Sequence, residues 1–209
     1  MPTPQDVLQS LESISRQGMI LAVMWHIYIA VLLLSPRLSR RSLALALTLP
    51  IASVSLLAWI YGNPFNGTAF AVLAGGLGWM ASRMPEERRR LAPWPIRLVA
   101  IALIGFAWVY PHFLPEGSAA LYLVAAPLGL IPCPTLSMLL GVSMFFDGFP
   151  TRAWGNLLGG FGLFYGLFGA MRLGVAIDWV LALGALVLLA SVWLTRGHAA
   201  LQGVTPSPR

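Results

Sequence analysis

Seven long apolar stretches follow one another along this chain of 209 residues. They run approximately over 18–35, 42–61, 66–82, 95–114, 119–146, 154–173 and 176–194. About 20 apolar residues suffice for a helix to cross the hydrocarbon core of a bilayer. Seven such stretches use up nearly the whole chain and leave no room for a separate soluble domain. In lipid the backbone must satisfy its own polar groups, so the crossings are helices. A membrane barrel would need short alternating segments, and these runs do not alternate. The predicted class is all-α, a polytopic transmembrane helix bundle with seven crossings.

Composition agrees. Hydrophobic residues make up 58% and charged residues 10%, with a mean hydropathy of +0.79. A soluble domain carries roughly 25% charged residues, so a soluble enzyme is excluded, and so is intrinsic disorder. All 13 basic residues are arginine. Without a lysine there is no retinal Schiff base. The arginines form no long basic stripe, which argues against nucleic-acid binding. One cysteine, Cys133, excludes an intrachain disulfide.

The arginines set the orientation. With seven crossings, Arg16 and Arg172 fall on one side and the other 11 on the opposite side. If 119–146 dipped in and returned, the split would fall to 9 against 4. Seven crossings with the N-terminus outside and the C-terminus in the cytoplasm is the expected topology. Residues 1–17 lack the basic start and cleavage site of a secretory signal. Thr3, Pro4 and Asp6 read as a helix start. Val7, Leu8, Leu11, Ile14 and Ser15 share one face, as in a helix lying on the membrane. The expected divisions are an interfacial helix over 1–17, the seven-helix domain over 18–195 and a cytoplasmic tail over 196–209.

The fifth stretch carries three prolines, Pro127, Pro132 and Pro134. Proline removes a backbone donor and clashes with the preceding turn. The fifth helix is therefore expected to kink or break at Pro132-Cys133-Pro134. Broken helices at membrane depth often frame solute sites. Unbroken winding from Ala119 would put Cys133 about 21 Å along the helix. In the sixth stretch Gly155, Gly159, Gly162, Gly166 and Gly169 share a helical face. Gly75, Gly76 and Gly78 cluster in the third. Both read as packing seams, toward the chain itself or toward another subunit.

Ionisable and polar groups in lipid mark candidate sites. His26 is the only ionisable group deep in the first stretch, with Tyr28 beside it. Tyr61, Asn63, Asn66, Tyr110, His112, Glu116, Arg172 and Asp178 gather at the expected outer face. The expected ligand-binding set is Cys133, His26, Tyr28, Asn63, His112 and Asp178. Thiolate, thioether and imidazole suit Cu(I) or another soft metal, which makes Cys133, Met138 and His26 the candidate metal ligands. Haem ranks behind, because His26 and His112 differ in depth by roughly 10 Å. No hydrolase zinc motif, nucleophile elbow or phosphate loop is present. An intramembrane enzyme would lack a core general base other than His26, so no catalytic residue is expected.

Trp59-Ile60-Tyr61-Gly62-Asn63-Pro64, Val109-Tyr110-Pro111, Pro132-Cys133-Pro134-Thr135, Trp154 and Gly174-Val175-Ala176-Ile177-Asp178 together resemble an uncharacterised family of small bacterial multi-pass membrane proteins. The resemblance covers most of 50–190 and implies a bacterial inner membrane and a site around Cys133. It implies no reaction. The expected function is binding or transport of a small solute, such as a soft metal ion, at the broken helix. The alternative is a structural or assembly subunit of a larger membrane complex, or a homo-oligomer, docked through the glycine faces.

Overall fold

The computed structural model describes residues 3–114, 119–147, 149 and 151–202. They form a helical bundle. Helix α1 spans Pro4–Gln17, α2 Met19–Leu34, α3 Arg40–Ile60, α4 Pro64–Ser82 and α5 Trp94–Val109. The fifth stretch is split into α6 (Ala119–Ala125) and α7 (Pro132–Phe145). Then come α8 (Arg152–Arg172), a single 3-10 turn over Ala176–Asp178, and α9 (Trp179–Gln202). Each predicted apolar stretch thus holds one helix or a broken pair. Helix α9 runs past the predicted boundary at 195 into the tail.

Helix starts follow the local chemistry. Thr3 and Asp6 close a capping box on α1, with Pro4 in the first turn. Ser39, Asn63 and Thr151 cap α3, α4 and α8 by accepting from backbone amides three residues on. Helix α1 turns by 73° into α2 at Gly18. It lays Leu11, Ile14 and Ser15 onto the bundle, the centre of the face its sequence predicts.

The fifth stretch breaks earlier than expected. The chain leaves helical geometry over 126–131, and Pro132 and Pro134 lie in the first turn of α7. The reason is steric and electronic. A first-turn proline gives up a donor that has no partner anyway, and its fixed φ suits the helix. The prolines therefore restart the helix, and Gly129 makes the turn before them. It sits at φ +72°, and a Cβ there would collide with the Trp25 ring.

Helix α7 is the central post. All of its residues from Pro134 to Met144 are buried, so its apolarity runs right around. It packs on α5, α8, α9 and α3, while α3–α4 and α8–α9 form the other main pairs. The glycine face of α8 is filled from within the chain. A Cβ at Gly155, Gly159 or Gly166 would strike Val192, Leu189 or Ala182 of α9. At Gly162 it would strike Leu140 of α7.

The two ends of the bundle are closed differently. At one end, β1 (Arg90–Leu91) pairs antiparallel with β2 (Phe146–Asp147). Ser39 bridges to Arg88. The Arg89 guanidinium donates to the Leu32 and Ser35 carbonyls at the end of α2 and lies 4.8 Å over the Phe146 ring. The other end is covered by α1.

By length and apolarity, Arg40–Ile60 and Ala176–Leu194 qualify as membrane spans, and the bent α1–α2 pair adds a third. Helices α5 and α7 are apolar but have 16 and 14 residues. Glycine dilutes the hydropathy of α4 and α8.

Candidate functional site

The turn after α8 determines the site. Gly174, at φ +72°, reverses the chain, and the 3-10 turn delivers Asp178 under the end of α8. Gly169, the last glycine of the α8 face, leaves room for it. A Cβ at Gly169 would overlap the Asp178 carboxylate. Asp178 is 1% exposed. Its Oδ1 accepts from the Tyr110 hydroxyl at 2.7 Å and its Oδ2 from the Cys133 thiol at 3.1 Å. The residue that caps the end of α5, the first turn of α7 and the start of the seventh stretch thus converge on one carboxylate. Among the described residues it has no ion-pair partner.

Beside this triad lies a cavity of about 480 Å³. Cys133, Asp178, Asn66 and Tyr165 are its polar wall, and Asn63 and Arg172 also line it. The Tyr165 hydroxyl donates to Asn66 Oδ1 at 2.9 Å. Pro4, Val7 and Leu11 of α1 roof the space. Phe113 closes one flank with its backbone at φ +67°, a left-handed conformation that costs a bulky residue energy and tends to occur at functional sites.

Of the expected ligand-binding set, the structure brings Cys133, Asp178 and Asn63 to this wall. Tyr28 and His26 are elsewhere. The Tyr28 hydroxyl donates to the Ala46 carbonyl at 3.0 Å. His26 is buried between two carbonyls, with Nδ1 2.8 Å from Ala22 O and Nε2 3.0 Å from Trp108 O. The two nitrogens are thus occupied within the protein, one against its own helix at Ala22 and the other against α5 at Trp108. His112 packs edge-on against Phe113, ring centroids 4.2 Å apart, outside the cavity lining. Glu116 lies outside the described residues.

The expected metal set does not assemble. Met138 is fully buried in the core of α7 and His26 is bonded to carbonyls, so Cys133 alone of the three faces the cavity. Among the described residues, no three His, Cys, Asp or Glu side chains group as a metal site would require. The wall offers one thiol, one carboxylate, an amide and a phenol, a donor set for hydrogen bonding.

Tyr165, Phe164 and Phe168 were not singled out from the sequence. Their signal is the helical stripe Phe161, Phe164, Tyr165, Phe168 interleaved with the glycine face. No family model, curated protein or solved structure matches this chain.

Proposed function

We propose that this is an integral membrane protein that binds a small solute, and passes it on in transport, through the cavity beneath α1. The observation that carries this reading is Asp178, a buried carboxylate with no ion-pair partner among the described residues, on the wall of a mostly apolar chamber. Ionisable groups are costly in lipid and are kept there mainly for function. The volume lies in the range of small-molecule sites, which are mostly apolar with a few placed polar groups. An organic solute fits this wall better than a soft metal ion, because thioether and imidazole donors are missing from it.

The same reading takes the seven stretches as seven crossings, with α6 and α7 sharing the fifth. Arginine asymmetry supports an N-terminus outside and a C-terminus in the cytoplasm. The cavity then faces outward, and the bacterial inner membrane is the proposed location. The glycine face of α8 is occupied by α9 and α7, whereas Gly75 of α4 meets nothing within 4 Å, so a subunit contact, as the alternative reading has it, would use α4.

Native mass spectrometry of protein released from lipid tests the reading. The expected result is a retained small-molecule adduct on the wild type that is lost in Asp178→Asn, a change that keeps shape and removes charge. Equal occupancy of both, or none on either with no solute stabilising the fold, would overturn it. Elemental analysis of the same sample is expected to show no stoichiometric copper.

A further inference from the structure

Between α4 and α8 the chamber is lined by Phe65, Phe164 and Phe168, and these residues are 63%, 48% and 36% exposed. Phe65 and Phe164 stand 6.2 Å apart, and Phe164 stacks on Phe168 at 6.0 Å. No backbone needs to move for these rings to part, since exposed side chains change rotamer in picoseconds to nanoseconds. Toward water the same chamber is roofed by α1, whose Leu11 is buried against it.

The polar side chains of the lining include Asp178, Cys133, Asn66 and Tyr165. Each Asp178 oxygen accepts one bond and keeps further acceptor capacity. Asn66 Oδ1 is taken by Tyr165, while its amide nitrogen has no hydrogen-bond partner among the described residues. This wall therefore offers an acceptor at Asp178 and a donor at Asn66. Arg172 also lines the chamber but is exposed and, among the described residues, forms no ion pair with Asp178. An anionic head would meet the Asp178 carboxylate on the way in. A hydroxyl would be matched at both groups, and an ammonium at Asp178, where its charge adds to the hydrogen bond.

We propose that the chamber takes membrane-dissolved amphiphiles with an apolar body and a hydroxyl or amino head, which enter sideways from the bilayer between Phe65, Phe164 and Phe168 while α1 keeps water out. This rests on the solute-binding reading and adds the side of access and the chemical class.

The test uses the full chain in lipid nanodiscs and a long-chain alcohol bearing a diazirine. The expected photolabels fall on peptides containing Phe164, Phe168 or Asp178. Dodecylamine and dodecanol compete with the probe, and dodecanoate competes at least about tenfold less well, the worth of one charge-assisted hydrogen bond. Asp178→Asn removes the advantage of the amine over the alcohol. Because Cys133 is the one cysteine in the sequence, thiol reagents report access independently. A lipophilic maleimide is expected to modify it faster than a charged methanethiosulfonate, and the alcohol to slow that reaction. Faster modification by the charged reagent would overturn the sideways route and leave solute binding standing. If both reagents fail, the photolabels decide: labels at the three peptides uphold the proposal, and labels confined to the outer faces of other helices overturn it. Absence of probe binding, together with no adduct on the wild type, would bring down both readings.

Discussion

At the residue scale, Asp178 depends on the absence of a side chain at Gly169. Gly169→Ala pushes the carboxylate off its two donors. The expected loss is about 1–3 kcal/mol, the usual cost of leaving buried polar groups unmatched. It would be read as a lowered midpoint in denaturant titration of detergent-solubilised protein. Asp178→Ala should cost at least as much, because the Tyr110 hydroxyl and Cys133 thiol both lose their acceptor. Gly129→Ala combines a left-handed backbone with collision against Trp25, and about 1–2 kcal/mol is expected from the backbone conformation alone. The sequence marked Cys133 by its flanking prolines and placed Asp178 in the polar cluster at the expected outer face. It could not show that they meet, because they lie 45 residues apart and no local periodicity encodes that contact.

Element by element, the sequence was most legible where hydropathy decides the outcome. The predicted stretch 18–35 became Met19–Leu34, 66–82 became Pro64–Ser82 and 154–173 became Arg152–Arg172. It was least legible at the fifth stretch, where proline can either break a helix or begin one. Here the unwinding precedes Pro132, so Pro132→Ala should change stability by less than about 1 kcal/mol, whereas an interior proline costs about 3. Thermal melts of the two proteins check this. Gly166→Leu should separate α8 from α9, since a Cβ there already meets the Ala182 backbone. Overpacking of this kind costs about 1–3 kcal/mol or more. Helix α1 should respond to acid. Hydrogen bonds from the Thr3 backbone and side chain hold the Asp6 carboxyl below its ordinary value. A depressed carboxyl stabilises the fold above its unfolded value and loses that effect as pH falls through the folded one. Helix α1 is therefore expected to fray below about pH 4, and Asp6→Asn, which removes the titrating group, should abolish the pH response, as read by amide exchange over residues 4–17.

For the molecule as a whole, the proposed orientation makes the stapled end cytoplasmic and the cavity end external. A C-terminal fluorescent-protein fusion should glow and a C-terminal alkaline phosphatase fusion should be inactive; the reverse pattern would invert the topology. The stapled end is held by a backbone ladder, by Arg89 on the α2 carbonyls and by Arg40–Glu87 and Arg41–Glu86 pairs at 3.7 and 3.4 Å. The glutamates of both pairs are exposed, so the pairs contribute little; the ladder and the guanidinium dominate. Arg89→Ala should therefore loosen that end by about 1–2 kcal/mol, with faster exchange at residues 32–41. Among the described residues the opposite end has no such ladder and is joined by side chains alone: the bonds of Tyr110 and Cys133 to Asp178, of Tyr165 to Asn66, and of Tyr61 to Gln17 at 2.8 Å, with α1 laid over them. Riveted at one extremity and only latched at the other, the barrel of rods should breathe like a pair of tongs, its jaws parting on the side that holds the chamber while the pivot stays shut against the cell interior.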